Sequence, residues 1–411
     1  MTYLHALQYL SDDAREAADT TDEMPRSTAR KESNPLYDEY CAQVRKEPGN
    51  VCYLLFDADA FGLLCAAYCR AALMSAGWIV GEIADSTVGD LSKVLCINGT
   101  PLSPAHLREA CHTARAAEQK ILRRAAKASA TGDSTIPITS RLSAAQRCGA
   151  VLPRLFAEAG CRVILLIGSI RDARLRHMAQ NAAGSAVAVL SAAANRPLQH
   201  FPTGTREVVC PTCPASVFSK VTDACSRSGS RLTLTTTSHL TRHEALPFSQ
   251  KFSYRSLSGC TLRCGTAEAL RAAMLATEAM LALSRLGCSI SEDAIQRGLA
   301  TVSEKQFFAP LSIKPLLITH AVHGEDDALS LVQALREFKE ALPQNLLFLC
   351  EDPFPDTWAS TLAAYGKVAP LTPQSAIEAY QGEDERATVL VGRRDTLEAL
   401  AATLGENIRR L

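Results

Sequence analysis

Between Val51 and Val80 the chain passes from an unbroken apolar run through a short polar break into a helical pattern and out again, and this order restricts the fold more than any other stretch. Val51 to Phe56 is apolar throughout, as suits a strand buried on both faces. Asp57 to Gly62 breaks the run, a helix follows, and Gly77 closes it before a second strand from Trp78 to Ile83. Strand, tight loop and helix in this order form the phosphate loop of a nucleotide-binding α/β domain, where backbone N–H groups and a lysine neutralise phosphate. No lysine occurs between Lys46 and Lys93. The framework is present without its usual positive charge.

The length of 411 residues suits two domains. Forty-three basic and 43 acidic residues balance, which gives no electrostatic reason to expect nucleic acid or an anionic membrane as partner. The fifteen cysteines are scattered without repeated spacing, as in a reduced chain rather than a disulfide framework, so the expected location is cytoplasmic. The first residues lack the basic start and long apolar core of a signal peptide, and no apolar run approaches the roughly 20 residues that span a bilayer.

Residues 2–10 suggest a short helix with Leu4, Leu7 and Leu10 on one face, and 11–50 is polar with one helix near Tyr37 to Lys46. Beyond the opening unit come an edge strand at Val94, an Asn98-Gly99 turn and a long helix over 104–128. A helix over 143–159 leads into the continuously apolar Arg162 to Gly168. Further strands are expected at 187–190, 207–210 and 231–234, a helix at 216–228 and a short meander within 230–256. Helices at 266–286 and 291–299 follow. From about residue 305, four strand and helix repeats mark a second doubly wound unit. The expected fold class is α/β with two domains, 1–303 and 304–411.

The order of these elements resembles the Mur ligase superfamily, and within it folylpolyglutamate synthase/dihydrofolate synthase. The resemblance rests on Thr2 to Leu10, on Ile97-Asn-Gly-Thr-Pro-Leu-Ser before a long helix, and on the helix pair Leu257-Ser-Gly259 through Gly298-Leu-Ala. Ile318-Thr-His-Ala-Val-His-Gly and Val389-Leu-Val-Gly392 add to it. It implies a larger P-loop-type ATPase domain and a smaller C-terminal Rossmann-like domain. It also implies ATP-dependent amide formation, in which the γ-phosphate passes to a carboxylate and an amine then displaces it. That chemistry requires phosphate cradling and magnesium.

Each site implied by the resemblance is degenerate here. The family loop G-T-N-G-K-G-S matches Ala58 to Leu64, with Gly62 where the lysine belongs and Asp57 and Asp59 adding repulsion. The magnesium glutamate of L-E-x-G-L-G-G falls at Leu166, and a second family glutamate falls near Gln146. No lysine lies between Lys127 and Lys220 to be carbamylated. The base-holding L-x-G-x-H-Q-x-x-N becomes Leu257 to Gly265 without its His, Gln or Asn. The arginine of W-P-G-R-F falls at Gln306, and the ribose-contacting D-G-A-H-N becomes Thr319 to His323.

Other constellations have plain readings. Cys210-Pro-Thr-Cys213 is half a zinc site at most, and a strand-to-helix turn accounts for it. His320 and His323, near Glu325, Asp326 and Asp327, could hold a metal or ligand, but acidic residues also favour a helix N-terminus. Asp57 and Asp59 read as a turn with an N-cap. His239, Arg242 and His243 fall in a polar loop, and Arg393-Arg394 reads as a solvated face.

The expectation is therefore a folylpolyglutamate-synthase-like protein that has lost ATP-dependent ligation and needs no cofactor. It would act as a binding or regulatory partner, pairing with an active ligase or holding a small pterin-like or acidic ligand in the interdomain cleft. One alternative is an enzyme with chemistry rebuilt on Asp57, Asp59, His320 and His323. The remaining one is an active acid–amino acid ligase using ATP and magnesium.

Overall fold

The computed structural model describes residues 6, 35–44, 51–56, 60–84, 95–130, 142, 144–168, 185–190, 201–202, 204–302, 308–322, 325–382 and 386–408. In chain order the elements begin with α1 (Pro35–Val44), β1 (Cys52–Phe56), α2 (Ala60–Ser75), β2 (Val80–Ala84), β3 (Leu95–Ile97) and β4 (Thr100–Pro101). They continue with α3 (Pro104–Ala130), α4 (Ala144–Glu158), β5 (Val163–Ile167), β6 (Ser185–Val189), β7 (Thr205–Pro211), α5 (Ala215–Ser228) and β8 (Arg231–Thr235). Next come β9 (Leu240–Leu246), β10 (Ser249–Tyr254), β11 (Leu257–Leu262), α6 (Ala267–Arg285) and α7 (Glu292–Thr301). The chain closes with β12 (Ala309–Ile313), β13 (Leu316–Ala321), α8 (Glu325–Glu337), β14 (Leu346–Cys350), α9 (Asp356–Ala363), β15 (Gly366–Pro370), α10 (Pro373–Tyr380), β16 (Ala387–Gly392) and α11 (Arg394–Ile408).

The chain divides into two compact units: Met1–Ala58, Ala76–Leu234 and Glu278–Ser289 form the first, and Asp59–Ser75, Thr235–Thr277 and Ile290–Leu411 the second. In the first, one sheet runs β4-β3-β2-β5-β1-β6-β7-β8. Strands β2, β5, β1, β6 and β7 pair in parallel, which is why Val163 to Ile167 and Cys52 to Phe56 are apolar at every position. Strands β3 and β4 close one edge antiparallel through Asn98 and Gly99, whose φ angles of 52° and 75° are those a two-residue hairpin turn requires. On one face Tyr53, Leu55, Ile83, Ile164 and Leu166 pack against Leu107 and Cys111 of α3 and Leu152 and Phe156 of α4. Gly81 permits this approach, since a Cβ there would lie 2.6 Å from the Phe156 ring.

The second unit holds two sheets. Strands β11-β10-β9 form the expected meander, antiparallel throughout. The other sheet runs β12-β13-β16-β14-β15, with β13, β16, β14 and β15 parallel. Its strands alternate between faces with a period of two. Ile318, Phe348 and Val389 pack with Leu331 and Leu335 of α8 and Leu362 of α9, whereas Leu317, Leu349 and Leu390 pack with Ala376 of α10 and Leu397 and Leu400 of α11. Helices on both faces of a parallel sheet are the doubly wound arrangement expected of this segment. Helix α7 crosses α2 so closely that a Cβ on Gly298 would sit 2.4 Å from the Ala72 backbone.

Several local expectations change. Helix α2 begins at Ala60 rather than after Gly62, because Phe61 and Leu64, spaced three apart, are both buried. Gly62 thus lies in the first turn of a helix rather than in the break before it, while Gly77, at φ 84°, does terminate it. Leu257 to Leu262 is a strand. Arg242 and His243 lie in strand β9 rather than a loop, and His239 sits in the short 3-10 turn before it. Strand β12 was not anticipated; it pairs antiparallel with β13, sharing that strand's apolar character only in part. The short helix expected over 2–10 lies outside the described residues except for Ala6.

Candidate functional site

The carboxyl ends of β5, β1 and β6 lie side by side, with Phe56 opposite Ile167 and Val189 and the Gly168 amide donating to the Phe56 carbonyl at 3.0 Å. In a parallel sheet this end is where ligand-binding loops emerge. Asp57 and Asp59 lie outside the described residues. Beyond them, α2 has no acidic or basic residue in its first turn and presents Phe61, Gly62 and Leu64 to the interior.

Leu166 is wholly buried, paired in the sheet with Leu55 and Ile83 and packed in the same apolar cluster as both. Its neighbours Leu165 and Ile167 are buried and apolar too, so a shift of register by one residue brings no carboxylate to this strand. Magnesium requires anionic oxygen ligands, and the described residues at this position do not fit it. Between Glu158 and Glu207 the only carboxylate in the sequence is Asp172, outside the described residues. Gln146 is half-buried on α4, beside Arg147, which pairs with Glu118 at 3.3 Å. Among the described residues no group of three or more His, Cys, Asp or Glu side chains is placed to hold a metal.

Thr319 and His320 sit inside β13, paired with Leu390 and Val391, and both are buried. The Thr319 hydroxyl donates to the Ala309 carbonyl at 3.3 Å, closing the β12–β13 pair. His320 is therefore a strand residue, and His323 and Gln306 lie outside the described residues. Of the four rebuilt-chemistry candidates, His320 alone lies among the described residues.

At the counterpart of the base-holding motif, the loop from β11 to α6 is held by this chain's own side chains. Gln250, fully buried, donates to the carbonyls of Cys264 at 2.8 Å and Thr266 at 3.1 Å. Arg242 donates to the Gly265 carbonyl at 2.7 Å and to Glu337 at 2.6 Å. A Cβ on Gly265 would fall 1.7 Å from the Leu246 carbonyl oxygen, so glycine is required here for packing. Burial pushes the Cys264 thiol up, and it pushes Cys350 up to about 12. Cys210 and Cys213 both pack on the apolar cluster beneath α5, which supports their reading as a turn.

Two constellations carry no short-range sequence signal. Arg242 is one. The other is Glu351, just past β14, which receives the Arg393 amide, the Arg393 guanidinium and the Thr396 hydroxyl at the N-terminus of α11. These groups lie about forty residues away along the chain, so no window of sequence contains them. The carboxylate neutralises the positive end of the helix dipole beside the carboxyl ends of the paired strands β14 and β16. A cavity of about 230 Å³ opens between α8 and α9, walled by Val322, Leu329, Val332, Phe354, Trp358 and Val391.

Together, the mainly parallel eight-stranded sheet, the small antiparallel sheet and the doubly wound five-stranded sheet define a Mur-ligase-type fold. More narrowly, the fold is that of the folylpolyglutamate synthases. The apo enzyme of Lactobacillus casei shares 14% identity, with a TM-score of 0.71 over 98% of each chain. The synthase of Thermotoga maritima shares 16% identity, with a TM-score of 0.62 over 95% of this chain and 94% of that one. That of Mycobacterium tuberculosis, complexed with ADP and AMPPCP, shares 14%, with a TM-score of 0.59 over 90% and 94%. No protein-family model and no curated protein sequence matches the chain.

Proposed function

We propose that this chain keeps the folylpolyglutamate synthase fold without the ATP-dependent ligase reaction, and that it serves as a binding or regulatory subunit. The observation that carries this reading is Leu166: where the resemblance calls for a magnesium carboxylate, a buried leucine completes an apolar core. The missing lysine between Lys46 and Lys93 supports it, as does the occupation of the β11–α6 loop by Arg242 and Gln250. Loss of one electrostatic stabiliser costs a factor of about 100 to 1000 in rate, and several losses compound. No ATP or magnesium requirement follows from this reading.

The partner is then an active ligase or a small molecule, met in the cytoplasm. For a small molecule, the cavity beside Phe354 and Trp358 favours an uncharged ring over an acidic ligand, since its described walls carry no charge. No helix among the described residues is long and apolar enough to cross a membrane. The test is phosphate release from Mg-ATP with a folate-type substrate and glutamate, alongside co-purification from the native cell. No release together with recovery of a ligase supports the proposal. Stoichiometric release with formation of an amide product overturns it.

A further inference from the structure

We propose that Cys52 and Cys288 form an oxidisable dithiol, a modification site that hydrogen peroxide closes to a disulfide. The inference is independent of whether the fold retains ligase activity. The two sulfurs lie 3.5 Å apart, with the Cys288 thiol bonded to Cys52 across 236 residues of sequence. Both residues belong to the first unit, and each retains only 5% of its surface.

Their backbones are fixed independently. Cys52 opens β1, where its amide donates to Arg162 at 2.8 Å and it pairs with Val163 and Ser185. Cys288 follows the end of α6, where Gly287 adopts φ 96° and the Cys288 amide donates back to Leu283 at 3.1 Å. Two rigid elements therefore present their thiols to each other. Closing the bond calls for side-chain rotation over about 1.5 Å, from the observed contact to a covalent length near 2.05 Å.

Two thiols in contact are the arrangement that an oxidant closes to a disulfide. One of the two, as its thiolate, attacks one oxygen of hydrogen peroxide, the O–O bond breaks, and hydroxide leaves and is protonated to water. The other thiol, giving up its proton, then attacks the sulfur of that sulfenic acid and expels a second water. Two thiols and one peroxide become one disulfide and two waters, so the two electrons leave with the oxygen.

The full-length reduced protein is treated with hydrogen peroxide, acid-quenched, unfolded in iodoacetamide, digested and mapped by mass spectrometry. The expected result is a peptide pair joined through Cys52 and Cys288, lighter by about 2 Da than its reduced parts and separated again by dithiothreitol. In Cys52→Ser or Cys288→Ser, the thiol that peroxide attacks first should be trapped by dimedone as the sulfenic acid. Recovery of both cysteines as alkylated thiols from oxidised wild-type protein overturns the proposal, as does their appearance only in bonds to other cysteines. Because wild-type mapping decides the matter, a poorly folding variant leaves the test intact.

Discussion

Glu351 accepts the backbone amide of Arg393 at 2.5 Å and its guanidinium at 2.7 and 3.0 Å, so one carboxylate both caps α11 and joins β14 to β16. Partial burial pushes this carboxyl up, but the bonds from Arg393 and from the Thr396 hydroxyl outweigh it and hold it below the ordinary range. Glu351 thus places an internal anion at the carboxyl end of β14, the end of a parallel sheet from which ligand-binding loops emerge.

Glu351→Gln is therefore expected to lower stability by about 1 kcal/mol at neutral pH, the scale of a lost helix cap. The contribution is complete above the unfolded carboxyl's ordinary value and disappears as pH falls through the lowered folded one. The difference between wild type and variant in urea denaturation should accordingly be flat near pH 7 and shrink below about pH 4.5. A difference that grows as pH falls would contradict the cap.

Leu166→Ala should cost about 3 kcal/mol, the usual penalty for emptying a buried leucine site. Leu166→Glu should fold poorly and gain no magnesium affinity, since the side chain enters the cluster of Leu55 and Ile83 rather than a wet site. Urea denaturation and magnesium titration check the two outcomes. A stable Leu166→Glu protein that binds magnesium would show the position to be a dormant metal site.

Gly298→Ala should destabilise by about 1 to 3 kcal/mol, because its methyl group meets the Ala72 backbone where α7 crosses α2. Thermal denaturation would show it. A neutral effect would mean that the crossing is looser than described.

Arg242→Ala should release the Gly265 carbonyl and Glu337 together. Amide hydrogen exchange is expected to accelerate in residues 262–267 before it changes elsewhere, with a loss of about 1 kcal/mol overall. Uniform acceleration across the chain would instead mark Arg242 as a general stability residue.

What the sequence disclosed were features with a local cause. Val163 to Ile167 announces a buried parallel strand by being apolar throughout, Asn98-Gly99 fixes its own hairpin, and Ser291 caps α7 through its hydroxyl on the Ala294 amide. Start points moved where burial of a few side chains decided them, as Phe61 and Leu64 draw α2 back to Ala60. What stayed hidden depends on partners far apart in sequence. Arg393 reads as one of two solvated arginines until Glu351 is folded against it, and Arg242 reads as loop until Gly265 and Glu337 meet it. The degenerate positions were legible as residue types, yet only the packing of Leu166 shows why a carboxylate there would be costly.

The central claim is that this fold no longer engages ATP, and calorimetric titration of the full-length protein with Mg-ATP tests it most directly. The account predicts no saturable heat in the micromolar range, with or without a folate-type compound. Stoichiometric micromolar binding would contradict it.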